Sequence, residues 1–129
     1  MYEYKIKEIV KIVDGDTIDI LIDLGFGLTK KERVRLAGID TPESRTLNLE
    51  EKAMGLEAKE VLTKMLNASE DLKVKTEKDG KFGRMLGWLW ADDEMTSINH
   101  QLVNDGYAWA YDGGSKEKDL QELRDKRNN

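Results

Sequence analysis

The stretch KIVDGDTIDILIDL, from Lys11 to Leu24, decides how the rest of the chain is read. A dense apolar run from Ile9 to Val13 is broken by Asp14-Gly15-Asp16. Ile18, Ile20, Ile22 and Leu24 then alternate with Asp19, Leu21 and Asp23. Period-two alternation marks a half-buried strand, so two strands joined by a short acidic turn are expected here. Two carboxylates one residue apart in a core-bound run leave two readings open, a solvated turn or a cation site.

Before this stretch, Tyr4 and Ile6 alternate with Lys5 and Lys7 to extend the first strand. LGFGLTKKE follows Asp23, with Gly25 and Gly27 supplying a turn. A hydrophobic contact of Phe26 is expected to steady this hairpin, the alternative being that Phe26, Lys30 and Lys31 touch nucleic acid. From Arg33 to Ile39 the alternation returns, with Val34 and Leu36 on one face and Arg33 and Arg35 on the other. Pro42 biases Thr41 towards an extended conformation. Between Leu49 and Leu66 the period changes: Met54, Ala58, Val61, Leu62, Met65 and Leu66 form a helical stripe.

Leu72 to Thr76 alternates again, DGKFG is a turn, and RMLGWLWA is apolar on both faces. Such a strand is expected to be central and covered on each side, with Trp88 and Trp90 in the core. Ile98, Leu102 and Val103 predict a short helix closed by Gly106 in a left-handed cap. Ser115 is the expected cap of a last amphipathic helix holding Leu120 and Leu123. His100 lies off the apolar stripe and reads as a surface residue. The order of three strands, helix, two strands and two helices predicts an α+β, mainly β fold: a five-stranded Greek-key OB-type barrel with three flanking helices.

The 129 residues suit one compact domain, 1–129, with the tail helix over 115–127 expected to be loosely attached. A 39% hydrophobic content can build a core unaided, and the absence of cysteine excludes thiol nucleophiles, disulfides and zinc-thiolate sites. The N-terminus lacks the apolar stretch of a signal peptide, and no run has membrane length. A soluble, cytoplasmic monomer that does not engage membranes is expected, secretion staying open if a leader has been trimmed. The net charge of −5 argues against tight non-specific binding to nucleic acid.

Three distant stretches carry the chemistry: VDGDT (Val13–Thr17), VRLAGIDTPE (Val34–Glu43) and KFGR (Lys81–Arg84). They supply Asp16, Asp40 and Glu43 as acids and Arg35 and Arg84 as bases. Brought together, these groups suit phosphodiester hydrolysis. Carboxylate oxygens hold a hard cation, paired guanidiniums grip phosphate oxygens, and a third carboxylate handles a water. Arg35 has a structural alternative as the partner of Asp19 or Asp23, and core packing and base stacking stay open for Trp109. An aspartyl-phosphate phosphatase loop needs an alternating α/β order that this chain lacks. A calcium-binding helix–loop–helix fails because Ile18 stands where a ligand is needed.

With these motifs in the same order, the chain resembles the staphylococcal nuclease (thermonuclease) family from its first strand to Gly106. The resemblance implies a Ca²⁺-dependent nuclease acting on DNA, RNA or both, with water as nucleophile and 3′-phosphate products. It implies one Ca²⁺ held by the Asp16 and Asp40 carboxylates and the Thr41 carbonyl. Glu43 would act as base or water-positioning group, Arg35 and Arg84 would hold the phosphate, and Asp14 and Thr17 would support the cation through bound water. Lys81 and Phe82 match a lysine–aromatic pair near the nucleotide, and Tyr111 is the expected base contact. The competing reading is an inactive nucleic-acid- or protein-binding barrel of the same family, favoured only by the net acidity.

Overall fold

The computed structural model describes residues 2–77, 85–111 and 118–128. Five strands close a barrel in the order β1 (Tyr2–Asp14), β2 (Thr17–Gly25), β3 (Leu28–Leu36), β6 (Met85–Ala91) and β5 (Leu72–Glu77). All neighbours are antiparallel except β3 and β6, so the barrel is mixed. A two-residue strand, β4 (Ile39–Asp40), pairs outside the barrel with β7 (Trp109–Ala110). The helices among the described residues are α1 (Leu49–Asn67), α2 (Ile98–Asn104) and α3 (Leu120–Arg127). This is the mainly β barrel with a helix after the third strand that the periodicity predicts.

The alternating residues face inward as expected. Ile18, Ile20, Val34, Val74 and Leu89 are all fully buried, and Leu62 and Leu66 of α1 join the same cluster. β1 needs more than simple alternation, because it pairs with β5 through residues 2–5 and with β2 through residues 5–14. Three register shifts along the β1–β2 ladder bend it between those partners, which accounts for its irregular apolar run.

On β6 and at the β2–β3 hairpin, the sequence expectations need correction. On β6 the inward residues are Gly87, Leu89 and Ala91, while Trp88 and Trp90 lie on the outer face and are only partly covered. Trp88 stacks on exposed His100 at 5.0 Å between ring centroids and donates its indole N–H to Glu77 at 2.6 Å. Lys75 sits over the Trp90 ring at 4.8 Å. A glycine faces inward because a Cβ at Gly87 would fall 2.7 Å from both Val34 and Val74. The second correction concerns the hairpin. Phe26 makes no steadying contact; it is fully exposed at the tip of a tight turn, and both Phe26 and Gly27 have positive φ. That backbone matches the twist of the flanking strands. Lys30 and Lys31 lie within β3.

Helix ends follow local rules. Asn48 caps α1 by accepting from the Glu50 and Glu51 amides, and Ser97 caps α2. Gly106 (φ 84°) closes α2: its amide bonds Val103 O and the Tyr107 amide bonds Leu102 O. Asp119, not Ser115, caps α3; Ser115 lies outside the described residues. Fully buried Leu123 anchors α3 beside Met54 and Trp109. Arg127 bonds the Gly106 carbonyl at 2.9 Å and covers the Tyr107 ring at 4.3 Å. No helix among the described residues is long and apolar enough to cross a membrane.

One buried polar side chain ties α2 to the barrel. Asn99, fully buried, accepts from the Leu89 amide at 2.9 Å and donates to the Ala37 and Gly87 carbonyls at 2.7 and 3.0 Å. It satisfies backbone groups just past the point where the parallel β3–β6 ladder ends, immediately before the turn into β4. Replacing Asn99 by Ala takes this partner from the buried Leu89 amide and Ala37 carbonyl, while the Gly87 carbonyl keeps the Ala37 amide, so stability to urea falls by about 2–4 kcal/mol with an unchanged denaturant slope. A loss below about 0.5 kcal/mol would show that water takes over these bonds.

Candidate functional site

Asp16 stands in the turn between β1 and β2, and its carbonyl accepts from the Leu36 amide at 2.7 Å. That bond fixes the turn against the end of β3, where Arg35 pairs across the ladder with Thr17. The Asp16 carboxylate is only 9% exposed as a residue and is satisfied from several sides. Thr17 Oγ1 donates to Oδ1 at 3.0 Å and the Thr41 amide to Oδ2 at 3.2 Å. The Arg35 Nη1 lies 3.4 Å from Oδ2.

The same guanidinium reaches Asp40. Its Nη2 is 3.5 Å from Asp40 Oδ1, while Nη1 donates to the Leu36 carbonyl at 3.0 Å and sets the plane of the fork. On its other side, Asp40 Oδ2 faces the Lys118 ammonium at 3.2 Å. Among the described residues, Arg35 thus lies between the two acids, and Lys118 meets Asp40 from the far side. Burial alone would lower the Lys118 pKa, but the charge and hydrogen bond of Asp40, aided by Glu43 and Glu51, hold it above the ordinary lysine value.

The segment carrying Thr41 and Glu43 is clamped between the turn and α1. Asp14 Oδ1 accepts from the Gly15 amide at 3.1 Å and from Ser44 Oγ at 2.9 Å. The Glu43 side chain is exposed on the rim, and its amide donates to the Glu51 carboxylate at 3.1 Å. Close approach here needs two glycines. A Cβ on Gly55 of α1 would lie 2.6 Å from backbone atoms of Pro42 and Glu43, and one on Gly15 would lie 2.9 Å from Ala58 Cβ. Gly15 thus serves contact with α1, since its φ is not in the left-handed region.

Of the residues singled out from sequence, Asp14, Asp16, Thr17, Arg35, Asp40 and Thr41 meet in this cluster, with Glu43 on its rim. Tyr111 is half-buried, and its amide bonds the Gly38 carbonyl at 2.8 Å, just before β4. Arg84, Lys81 and Phe82 lie outside the described residues. Trp109 is core: it is 2% exposed and donates its indole N–H to Asp119 O at 3.0 Å. Asp19 does not compete for Arg35, because Arg33 takes it with Nε at 2.8 Å and Nη2 at 3.1 Å. The hydrogen bond to Arg33 holds the Asp19 carboxyl below its usual pKa.

Sequence reading missed Ser44, Gly55, Asn99 and Lys118. Only Gly55 left a signal, since glycine inside a helix is unfavourable unless something packs close to it. Among the described residues, no three acidic, imidazole or thiol side chains converge as a ready cation cage. Asp16 and Asp40 do converge, and their hard oxygen donors fit a hard divalent cation. Thr41 Oγ1 is a further buried oxygen, with no hydrogen-bond partner among the described residues.

A family model described as staphylococcal nuclease homologue matches residues 33–129. The chain is 36% identical over 124 residues to Protein ParB of Escherichia coli, covering 91% of this chain and 63% of that protein. It is 36% identical over 121 residues to a micrococcal nuclease of Shigella flexneri, covering 88% and 63%. Against a thermonuclease of Staphylococcus intermedius it is 38% identical over 101 residues, covering 78% and 56%. The chain therefore spans a little under two thirds of the length of these curated relatives.

Gly55→Ala gains helix propensity yet forces the Pro42–Ser44 backbone outward, so a net destabilisation of about 1–3 kcal/mol is expected. Amide shifts concentrated at residues 41–44 would accompany it, and a stabilised variant would contradict the packing described. Arg33→Ala should raise the Asp19 pKa towards its ordinary 3.8, read by side-chain carboxyl NMR titration. A depressed carboxyl pKa stabilises the fold above its unfolded-state value and loses that contribution as pH falls through the folded value. The stability gap between variant and parent should accordingly close on acidification below about pH 4.

Proposed function

The chain belongs to the staphylococcal nuclease homologue family, and on that footing we propose that it is a Ca²⁺-dependent nuclease cleaving phosphodiester bonds of DNA, RNA or both. The observation that carries the reading is the Asp16–Arg35–Asp40 cluster. Two carboxylates are held within 3.4 and 3.5 Å of one guanidinium, at the meeting of three separate chain segments. A binding module has no need of acids there, since they repel the phosphate it must hold. Curated relatives named nucleases support the same direction.

In this reading the Asp16 and Asp40 carboxylates and the Thr41 carbonyl hold the cation. A bound Ca²⁺ would neutralise charge on the phosphate oxygens. Arg35 donates its fork to non-bridging oxygens, oriented by its bond to the Leu36 carbonyl. Arg84, supplied by the KFGR motif, is the second donor. Glu43 accepts the proton of the attacking water, whose oxygen bonds to phosphorus as the bond to the 5′-oxygen breaks and that oxygen takes up a proton from solvent. The products are a 3′-phosphate and a 5′-hydroxyl, and no ribose 2′-OH takes part. Asp14 and Thr17 steady the acids, and Lys81, Phe82 and Tyr111 contact the nucleotide.

The test is digestion of an end-labelled single-stranded oligonucleotide with Ca²⁺ and with chelator, followed by end-group analysis. Cleavage with Ca²⁺ alone and 3′-phosphate ends are expected. Asp40→Ala should weaken Ca²⁺ binding. Arg35→Ala and Arg84→Ala should each lower turnover by about 10²–10³-fold. Parent-like rates in all of these variants would move the chemistry away from this cluster, and no cleavage by the parent would leave the inactive binding barrel as the better reading.

A further inference from the structure

Asp40 has a partner for which the hydrolytic reading has no use. Its Oδ2 faces Lys118 Nζ at 3.2 Å, and Lys118 comes from the tail that leads into α3. The contact is built rather than incidental. The next residue, Asp119, caps α3 with its side chain and accepts the Trp109 indole N–H on its carbonyl. Trp109 is itself the ladder partner of Asp40 in the β4–β7 pair. The backbone that delivers the lysine is therefore fastened to the strand pair that delivers the carboxylate.

Among the described residues, the two cations at the acids differ in freedom. Arg35 is anchored by the Leu36 carbonyl and has 14% of its side chain exposed, whereas Lys118 has 43% exposed. A divalent ion on Asp40 would stand within a few ångströms of the ammonium, and like charges at that range repel. Lys118 is the one that can yield, by turning a flexible stem to solvent.

We infer that Lys118 is a built-in counter-cation of Asp40, which neutralises the carboxylate in the metal-free protein and is displaced by an incoming divalent ion. The inference rests on the proposed metal role of Asp16 and Asp40. It makes Lys118 a positioning residue that sets cation affinity. Displacement leaves an unpaired ammonium beside the site just when the site takes up a phosphate anion. Cation and anion binding are thereby coupled, and the coupling is reciprocal.

Calorimetric titration of the substrate-free protein with Ca²⁺ tests this without reference to turnover. Lys118→Met removes the charge and keeps the stem, and is expected to bind Ca²⁺ roughly two- to fivefold more tightly than the parent, the scale of a partly exposed ion pair. Lys118→Arg keeps the charge and should restore parent-like affinity, whereas Asp40→Asn should lose most of the binding. Equal or weaker affinity in Lys118→Met, with Asp40→Asn still defective, overturns the inference and leaves the metal reading standing. Failure of the parent to bind Ca²⁺ at all, or parent-like binding by Asp40→Asn, overturns the metal reading and the inference with it.

Discussion

A carboxylate taken largely out of water must be met by donors or cations on each side, or it is expelled or protonated. Asp16 imposes that constraint on this protein. Its oxygens are met by the Thr17 hydroxyl, the Thr41 amide and the Arg35 guanidinium, while its own carbonyl receives the Leu36 amide. These donors come from the start of β2, the end of β3 and the segment after β4. Satisfying one acid therefore draws three parts of the chain to one point, and Asp40 arrives with them.

The rest of the structure holds that point in place. Asn99 pins the chain where it leaves β3, and the β4–β7 pair carries Asp40 across to Trp109. Behind this pair, Trp109, Met54 and Leu123 form a second apolar cluster that joins α1 and α3 to the site's back wall. Gly55 lets α1 press against Pro42 and Glu43, and Asp14 ties Ser44 to the turn. Rigid support matters because Arg35 touches both acids at the outer range of direct contact, where a small displacement would favour one over the other.

Reading the sequence succeeded where a residue's environment follows from its neighbours along the chain. Ile18, Ile20 and Ile22 face the core because alternation on a strand leaves them no other side. Gly106 ends α2 because a left-handed cap favours glycine. It failed on β6, where both faces are apolar and local pattern cannot tell inside from outside. The barrel interior has no room beyond a hydrogen at Gly87, so the tryptophans face outward. Phe26 misled for a related reason: apolar character predicts a contact, but a two-residue turn at the hairpin tip has nothing within reach.

Periodicity and short motifs are properties of adjacent residues, so the barrel's strands, its principal helix and the candidate site's acids and Arg35 are legible along the chain. Which arginine meets which acid is a matter of packing across the sheet. Arg33 and Arg35 share a face of β3 and differ only in register, which sets Arg33 opposite Asp19 and Arg35 opposite Thr17, beside Asp16. Tertiary packing also brought Lys118 to Asp40 and Ser44 to Asp14, pairings between residues far apart in the chain. Contacts of that kind come from how barrel, strand pair and helices pack, and chain-local patterns carry no trace of them.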